Sequence, residues 1–203
     1  MKVAVIGVGH LGKEHARIYH QLPDAELVAV VDTNEDQAKS IARNYNVKAL
    51  TDYRSILGEV EAVSVASPTS THFEIARDFL ESGAHVLIEK PMTTRLDHAE
   101  ALVKIAQEKK MKLQIGHIER FNPAVMEIVK RDLQPVYIES LRLSPFRFRS
   151  GDIGVVLDLM IHDIDIIRML VKSPVERVDA VGINLLGSNE DMEIGRASCR
   201  ERV

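Results

Sequence analysis

The chain has 203 residues, of which 45% are hydrophobic and 28% are charged, a balance typical of a folded globular protein. Its net charge is −4 and its basic residues are scattered, which argues against binding to nucleic acid or to an anionic membrane. The first apolar run is too short for a signal peptide or a bilayer span. The only cysteine is Cys199, so an internal disulfide is excluded. Both observations lead us to expect a cytoplasmic protein.

A strand, a tight turn and a helix are predicted at the N-terminus. The apolar residues 3–6 lead into the pattern Gly7-x-Gly9-x-x-Gly12, and residues 14–19 have helical spacing. The first glycine permits the turn, the second lets the backbone approach a pyrophosphate, and the third lets the helix pack against the strand. The phosphates of a dinucleotide would then lie at the N-terminus of the helix. This stretch therefore favours a dinucleotide-binding site over the alternative, a glycine-rich turn in an unrelated α/β domain.

A second apolar run, Glu26–Val31, ends at Asp32. This acid follows the glycine turn by about 20 residues, where a carboxylate that binds the ribose is expected. His10 and Leu11 lie inside the turn and are expected to cover the pyrophosphate. No arginine stands close behind Asp32 to receive a 2′-phosphate, which predicts NAD rather than NADP as the cofactor.

Strand-like and helix-like segments alternate along the first 120 residues. Helices are predicted at 34–44, 71–82 and 96–109, and strands at 47–50, 62–66, 85–88 and 111–115. The strands lack strict polar–apolar alternation, as expected of parallel strands buried on both faces. The sequence therefore predicts an α/β fold whose residues 1–120 form a doubly wound parallel sheet that binds NAD(P).

Ligands of such sheets collect where the strands end. The residues predicted at these ends, beside those already named, are Ser67, Pro68, Thr69 and His72 after the fourth strand, Glu89 and Lys90 after the fifth, and His117 after the sixth. A lysine at a strand end before a proline can reach the nicotinamide side of a dinucleotide. We expect the residues after the fourth and fifth strands to bind the cofactor, although an isolated lysine is more often a surface residue.

The pattern changes near Phe121, where we place a domain boundary. A helix is predicted from Asn122, followed by an extended segment at 134–148, a long apolar helix at 155–171 and a strand at 175–186. Residues 121–192 are therefore predicted to form a second, partial α/β domain.

The long helix carries ionisable groups on an apolar background. Asp158 and His162 are four residues apart and Asp165 continues the stripe, so in a regular helix they share one face. Asp158 is predicted to orient His162 as a proton acceptor near neutral pH. An i,i+4 ion pair on a half-exposed helix is the alternative. A metal site is disfavoured because no third ligand is evident.

Three residues after the last strand of the first domain are candidates for substrate binding. His117, Arg120 and Asn122 are placed to line a cleft, and an ion-pair cluster that includes Glu119 and Arg120 is an equal alternative.

The final residues, 193–203, continue no pattern. They resemble a translated cloning or sequencing adaptor more than a solvated basic tail, and we expect them to be non-native.

Several short segments and Asp32 together indicate a known family. The segments are GVGHLG, SPTSTH, EKP, GHIERFNP and DLMIHDID. With them the chain resembles the Gfo/Idh/MocA oxidoreductases, the family of glucose–fructose oxidoreductase and inositol dehydrogenase. The resemblance covers residues 1–192 and is strongest to the sugar-nucleotide branch, such as UDP-N-acetylglucosamine 3-dehydrogenases.

This resemblance implies a Rossmann domain, a second α/β domain with an open sheet, a nicotinamide cofactor and hydride transfer at a secondary hydroxyl of a sugar or sugar nucleotide. It implies that Lys90 contacts the reacting hydroxyl, that His162 is the general acid/base with Asp158 as its partner, and that the Lys90–Pro91 bond is cis. The second domain of the family contains several strands that would come after residue 186 and that this sequence lacks, so we expect this domain to be incomplete. The resemblance also implies that a longer parent protein forms homo-oligomers. A cyclitol dehydrogenase and a noncatalytic dinucleotide sensor on the same fold are the alternatives.

Overall fold

Six short strands and four helices alternate along the first part of the chain. The computed structural model describes residues 1–143, 154–186 and 189–199, which divide into units at 1–116 and 117–203. The strands of the first unit are β1 (Lys2–Ile6), β2 (Glu26–Val31), β3 (Lys48–Leu50), β4 (Ala62–Val65), β5 (His85–Ile88) and β6 (Leu113–Ile115). Its helices are α1 (Gly12–Gln21), α2 (Glu35–Tyr45), α3 (Thr69–Glu81) and α4 (Leu96–Lys109), with a 3₁₀ turn at Tyr53–Ile56.

The strands form one parallel sheet in the order β3-β2-β1-β4-β5-β6. This is the doubly wound order in which the chain reverses direction between β1 and β4 and leaves a crevice at their carboxyl ends. The doubly wound sheet predicted from the alternating segments is therefore confirmed.

Residues of β1 and β2 enter two separate hydrophobic clusters, one on each face of the sheet. Ile6 of β1 packs in a cluster with Phe79 of α3 and Leu102 of α4. Val5 packs in the other cluster with Ala16 of α1. Burial on both faces explains why the strands read as continuous apolar runs. Complete burial of a side chain such as Phe79 contributes about 1.5–3 kcal/mol to folding.

Local signals in the sequence set the ends of α2. The side chain of Asn34 caps its N-terminus by accepting a hydrogen bond of 3.2 Å from the backbone N–H of Gln37. Asn46 ends the helix in the left-handed conformation, with φ of 53°. Asp32 therefore precedes a helix whose two ends are set by local interactions at Asn34 and Asn46.

The second unit contains less regular structure. Its described residues contain a 3₁₀ turn (Ile118–Phe121), α5 (Pro123–Lys130), a π-helical turn (Val156–Met160), α6 (Ile161–Val171), β7 (Val175–Ile183) and β8 (Met192–Cys199). The strands β7 and β8 pair antiparallel, from Val175 opposite Cys199 to Ile183 opposite Met192.

Three features of this unit differ from the sequence expectations. The segment 193–199, which continued no pattern and was expected to be a non-native tail, forms most of β8, because backbone pairing with β7 needs no alternating apolar pattern. The predicted long helix begins with one π turn before α6. No strand occurs over 134–143 of the expected extended segment, and 144–148 lie outside the described residues.

No helix within the described ranges is long and apolar enough to cross a membrane.

Candidate functional site

The glycine turn between β1 and α1 has no room for side chains at two of its three glycines. Gly7 has φ of +82°, and a Cβ there would lie 2.6 Å from the backbone nitrogen of Ser67. A Cβ on Gly12 would lie 1.8 Å from the carbonyl oxygen of Gly7. Gly9 faces open space, with nothing within 4 Å of an added Cβ. The turn is therefore closed toward the sheet and open on the side from which a ligand approaches.

Asp32 is held rigidly at the end of β2. Its Oδ2 accepts a hydrogen bond of 2.9 Å from the backbone N–H of Val8, and its Oδ1 accepts one of 2.9 Å from that of Asn34. Gln37 supports the same turn, since its Nε2 donates to the carbonyl of Val8 at 2.7 Å. Each carboxylate oxygen has a further lone pair, so Asp32 can also accept hydrogen bonds from ribose hydroxyls.

The ends of the central strands lie side by side at one edge of the sheet. Just past each strand end, a backbone N–H donates to the last residue of the neighbouring strand. These bonds run from Ala66 N to Ile6 O at 2.8 Å, from Glu89 N to Val65 O at 2.9 Å and from Gly116 N to Ile88 O at 2.8 Å. The structure thus brings the glycine turn, the loop after β4 and the loop after β5 together, as expected of parallel strands.

The loop after β4 is fixed by its own hydroxyl groups. Thr71 Oγ1 donates to the carbonyl of Pro68 at 2.8 Å, and the hydroxyls of Ser67 and Thr71 are 2.8 Å apart. Thr69 begins α3 and is buried. His10 and Leu11, within the glycine turn, are exposed.

His72 has a different environment from a side chain that contacts a ligand. It is only 1% exposed, and both of its ring nitrogens lie within hydrogen-bond distance of backbone carbonyls. The imidazole is therefore enclosed by the protein, although its predicted position next to the strand ends is correct.

Glu89 and Lys90 follow β5 and have contrasting environments. Glu89 is buried, and its Oε1 lies 3.0 Å from Nε2 of His15 in the first turn of α1. Its Oε2 also accepts a bond of 3.3 Å from the backbone N–H of Lys90. A Cβ on Gly116 would lie 2.8 Å from this carboxylate, so the glycine makes space for it. Lys90 is half-buried, and the Lys90–Pro91 peptide bond is cis.

The second unit contains the two residues that were predicted to act in acid–base catalysis beside Lys90. Asp158 lies in the π-helical turn and His162 is the second residue of α6, both half-buried. A π turn has a wider i→i+5 hydrogen-bonding pattern, so the two residues do not have the angular relation of a regular α-helix. Their proposed partnership as an acid–base pair stays a prediction.

Two further acids of α6 form ion pairs with arginines from earlier segments. Asp163 accepts hydrogen bonds from Ser140 Oγ at 2.9 Å and from Arg142 Nε at 2.7 Å. Asp165 forms a bidentate pair with Arg120, whose Nε lies 2.7 Å from Oδ2. The hydrogen bonds from Arg142 and Arg120 lower the pKa of Asp163 and of Asp165, respectively, below the usual range of an aspartate.

His117 and Asn122 are also placed in this unit. The Nδ1 of His117 lies 4.0 Å from Oδ2 of Asp165, next to the Arg120 pair. Asn122 caps α5 by accepting from Ala124 N at 3.0 Å, and its Nδ2 donates to Glu119 Oε2 at 3.2 Å. Arg120 is ion-paired with Asp165, and both alternatives for this group, substrate binding and a structural ion-pair cluster, stay predictions.

The residues of the first unit fit a dinucleotide. The turn is open at Gly9, the N-terminus of α1 favours an anion, and Asp32 presents a carboxylate at the end of the next strand. No cluster of three His, Cys, Asp or Glu side chains suited to a metal occurs within the described segments.

Sequence reasoning missed two supporting residues, His15 and Gln37. Each lies in the first turn of a helix that follows a predicted ligand-binding loop. This position is the available signal, but the partners Glu89 and Val8 are 74 and 29 residues away in sequence and require the tertiary fold.

Comparison with known proteins gives a family and a set of relatives. The profile of the GFO_IDH_MocA family, described as "Oxidoreductase family, NAD-binding Rossmann fold", matches residues 1–117. UDP-N-acetylglucosamine 3-dehydrogenase of Acidithiobacillus ferrooxidans is 42% identical over 193 residues, which are 95% of this chain and 61% of that protein. The scyllo-inositol 2-dehydrogenase (NAD(+)) of Bacillus subtilis is 30% identical, over 90% of this chain and 57% of that protein.

A solved structure of the Acidithiobacillus ferrooxidans enzyme superposes with a TM-score of 0.91 at 40% identity, over 98% of this chain and 66% of that one. The chain therefore spans less than two thirds of the length of these relatives.

Proposed function

Because the chain belongs to the GFO_IDH_MocA oxidoreductase family with its NAD-binding Rossmann fold, we propose that it acts in hydride transfer between a nicotinamide cofactor and a secondary hydroxyl of a sugar or sugar nucleotide. One observation carries this proposal: the glycine turn, the loop after β4 and the loop with Lys90 lie side by side at the carboxyl edge of the sheet. A cofactor held along this edge extends from the ribose-binding acid toward a lysine.

The chain's own residues define how the cofactor is held. The backbone at Gly9 and the start of α1 receive the pyrophosphate, and Asp32 receives the ribose hydroxyls. The residues after β4, including Ser67 and Pro68, border the nicotinamide half. When bound, the nicotinamide supplies a hydride acceptor or donor.

NAD is proposed over NADP. A 2′-phosphate would lie against the carboxylate of Asp32, whose orientation is fixed by the N–H groups of Val8 and Asn34. The fixed negative charge disfavours a phosphate and favours a hydroxyl that donates to it. The name of the Bacillus subtilis relative also specifies NAD(+).

Acid–base chemistry is assigned to three residues. His162 accepts the proton of the substrate hydroxyl, Asp158 supports the charged imidazole, and the ammonium group of Lys90 stabilises the developing negative charge on oxygen. The presence of all three in one chain favours an enzyme over a noncatalytic dinucleotide sensor, which would not need all three.

The proposed substrate is UDP-N-acetylglucosamine, with oxidation at C3. The support is the 42% identity to an enzyme of that name, compared with 30% for the scyllo-inositol enzyme. A cyclitol is the second candidate because of the inositol dehydrogenases among the relatives.

A substrate panel tests the proposal. The 203-residue chain, and a chimera extended with the remaining C-terminal segment of the Acidithiobacillus ferrooxidans enzyme, are each incubated with NAD and a candidate substrate. Absorbance of the reduced cofactor is followed with UDP-N-acetylglucosamine, myo-inositol and glucose. We expect the nucleotide sugar to give the fastest reduction with the chimera. A faster rate with myo-inositol would indicate a cyclitol dehydrogenase, and cofactor binding without any turnover in either protein would indicate a sensor.

A further inference from the structure

The imidazole of His72 lies between the loops that follow two neighbouring strands. Its Nδ1 lies 3.0 Å from the carbonyl oxygen of Pro91, after β5, and its Nε2 lies 2.9 Å from that of Ser67, after β4. The side chain is 1% exposed and projects from the first turn of α3. One ring therefore bridges the loop beside the proposed cofactor and the loop that contains Lys90.

The chemistry of imidazole suits this bridge. A neutral ring donates from one nitrogen and a charged ring donates from both, so at least one of the two carbonyls receives an N–H. These carbonyls are 24 residues apart in sequence (91 − 67), and both face the imidazole of His72, which is 1% exposed. A side chain without a donor would remove this N–H from at least one carbonyl inside the protein, which is unfavourable.

The peptide segment at Lys90 is held on both sides. Before it, Glu89 is fixed by His15 and packs on Gly116. After it, the carbonyl oxygen of Pro91 lies within hydrogen-bond distance of Nδ1 of His72, at 3.0 Å. The backbone of Lys90 is thus restrained by contacts from α1 and α3, the helices that follow the glycine turn and the loop after β4.

We propose that His72 is a positioning residue that sets the placement of Lys90 relative to the loop at Ser67 and Pro68. The proposal rests on the proposed function insofar as Lys90 acts on the substrate hydroxyl. Loss of the bridge releases the peptide that follows Lys90 and lets the ammonium group leave its productive position.

The test compares three variants of the 203-residue chain. His72→Leu removes both ring nitrogens at similar size, and His72→Gln retains one N–H donor group. The matched control is His85→Asn, because His85 also bonds the backbone through its ring, from Lys112 N to Nδ1 at 3.0 Å, but at the opposite end of β5. The rate of Lys90 acetylation by acetic anhydride, measured by peptide mass spectrometry, is compared with the affinity for NADH and the melting temperature.

We expect faster acetylation of Lys90 in His72→Leu, an intermediate rate in His72→Gln and an unchanged rate in His85→Asn. In the extended chimera we expect His72→Leu to lower kcat by about 10²-fold, the loss typical of a misplaced catalytic group, with a much smaller change in KM. An unchanged Lys90 acetylation rate in a folded His72→Leu variant would overturn the proposal.

Two further readouts keep the outcomes distinct. If both His72 variants fail to fold, exchange of the His72 ring N–H in the wild type is measured by NMR: slow exchange supports the bridge, and exchange as fast as that of the exposed His20 overturns it. If Lys90 acetylation responds as expected but no sugar is oxidised by the wild-type chimera, the proposed function fails while the positioning role of His72 stands.

Discussion

His15 of α1 and Glu89 at the end of β5 form a largely enclosed pair, with 3.0 Å between Nε2 and Oε1 and side-chain exposures of 15% and 8%. The pair joins the helix that begins at the glycine turn to the segment that contains Lys90. The two parts of the candidate site are therefore connected through side chains as well as through the sheet.

The first prediction concerns this pair. Glu89→Gln keeps the shape of the side chain but removes its charge. The hydrogen bond to His15 then weakens, and a buried polar group loses part of its hydrogen bonding. We expect a loss of about 1–3 kcal/mol in the free energy of unfolding, measured by urea denaturation. The control is Glu14→Gln, which breaks an exposed pair with Arg17 on the same helix and is expected to change the free energy of unfolding very little, because exposed ion pairs are screened by solvent. Equal losses in both variants would show that the Glu89 pair has no special contribution.

The second prediction concerns cofactor choice. Wild type is expected to bind NADH more tightly than NADPH, and Asp32→Ala to weaken NADH binding and reduce this difference, because the carboxylate both accepts the ribose hydroxyls and repels a 2′-phosphate. Fluorescence titration of the reduced cofactors measures both affinities. Asp36→Ala makes the same charge change at an exposed position in the first turn of α2 and should leave the preference unaltered. Equal affinity of the wild type for the two cofactors would refute the assignment.

The third prediction concerns proton transfer. In the extended chimera, His162→Ala is expected to lower turnover by about 10²–10⁴-fold while the affinity for NADH stays close to that of the wild type. Steady-state kinetics and cofactor titration are measured together, with His20→Ala, an exposed residue at the end of α1, as the control. Near-normal turnover in His162→Ala would move the role of the base to another residue, with Lys90 the next candidate.

The fourth prediction concerns acid. Because Arg142 lowers the pKa of Asp163 in the folded state, the pair stabilises the protein above the pKa of an unfolded aspartate. This stabilisation is lost as the pH falls from about 4 through the lowered folded-state pKa. The difference in thermal stability between the wild type and Asp163→Asn should therefore be full at pH 7 and shrink at acid pH. A difference that is constant over this range would show that the ion pair is not its cause.

The first unit was largely predictable because its signals are local. The glycine turn, the apolar runs of β1 and β2 and the helical spacing of α3 each occur within a few residues, and the parallel order then places the strand ends together. His15 and Glu89 show what local patterns omit, since their contact joins α1 to β5 and exists only in the folded sheet.

The second unit was less predictable. Arg120 and Asp165 are 45 residues apart, and Arg142 and Asp163 are 21 apart, so their pairing depends on tertiary structure. The spacing of Asp158 and His162 predicted a regular helix, whereas a π turn, which has no simple sequence signature, precedes α6. Strand β8 was missed because backbone hydrogen bonds to β7 form it without an apolar alternation.

Transfer of a labelled hydride tests the proposed reaction most directly. The extended chimera is incubated with NAD and UDP-N-acetylglucosamine that carries deuterium at C3, and the reduced cofactor is analysed by mass spectrometry, with His162→Ala as the matched control. The proposed function predicts deuterium on the nicotinamide ring with the wild-type residues and strongly reduced labelling with His162→Ala. Reduced cofactor without deuterium would contradict the assignment of C3, and no reduction of NAD at all would contradict the proposed oxidation of this sugar nucleotide.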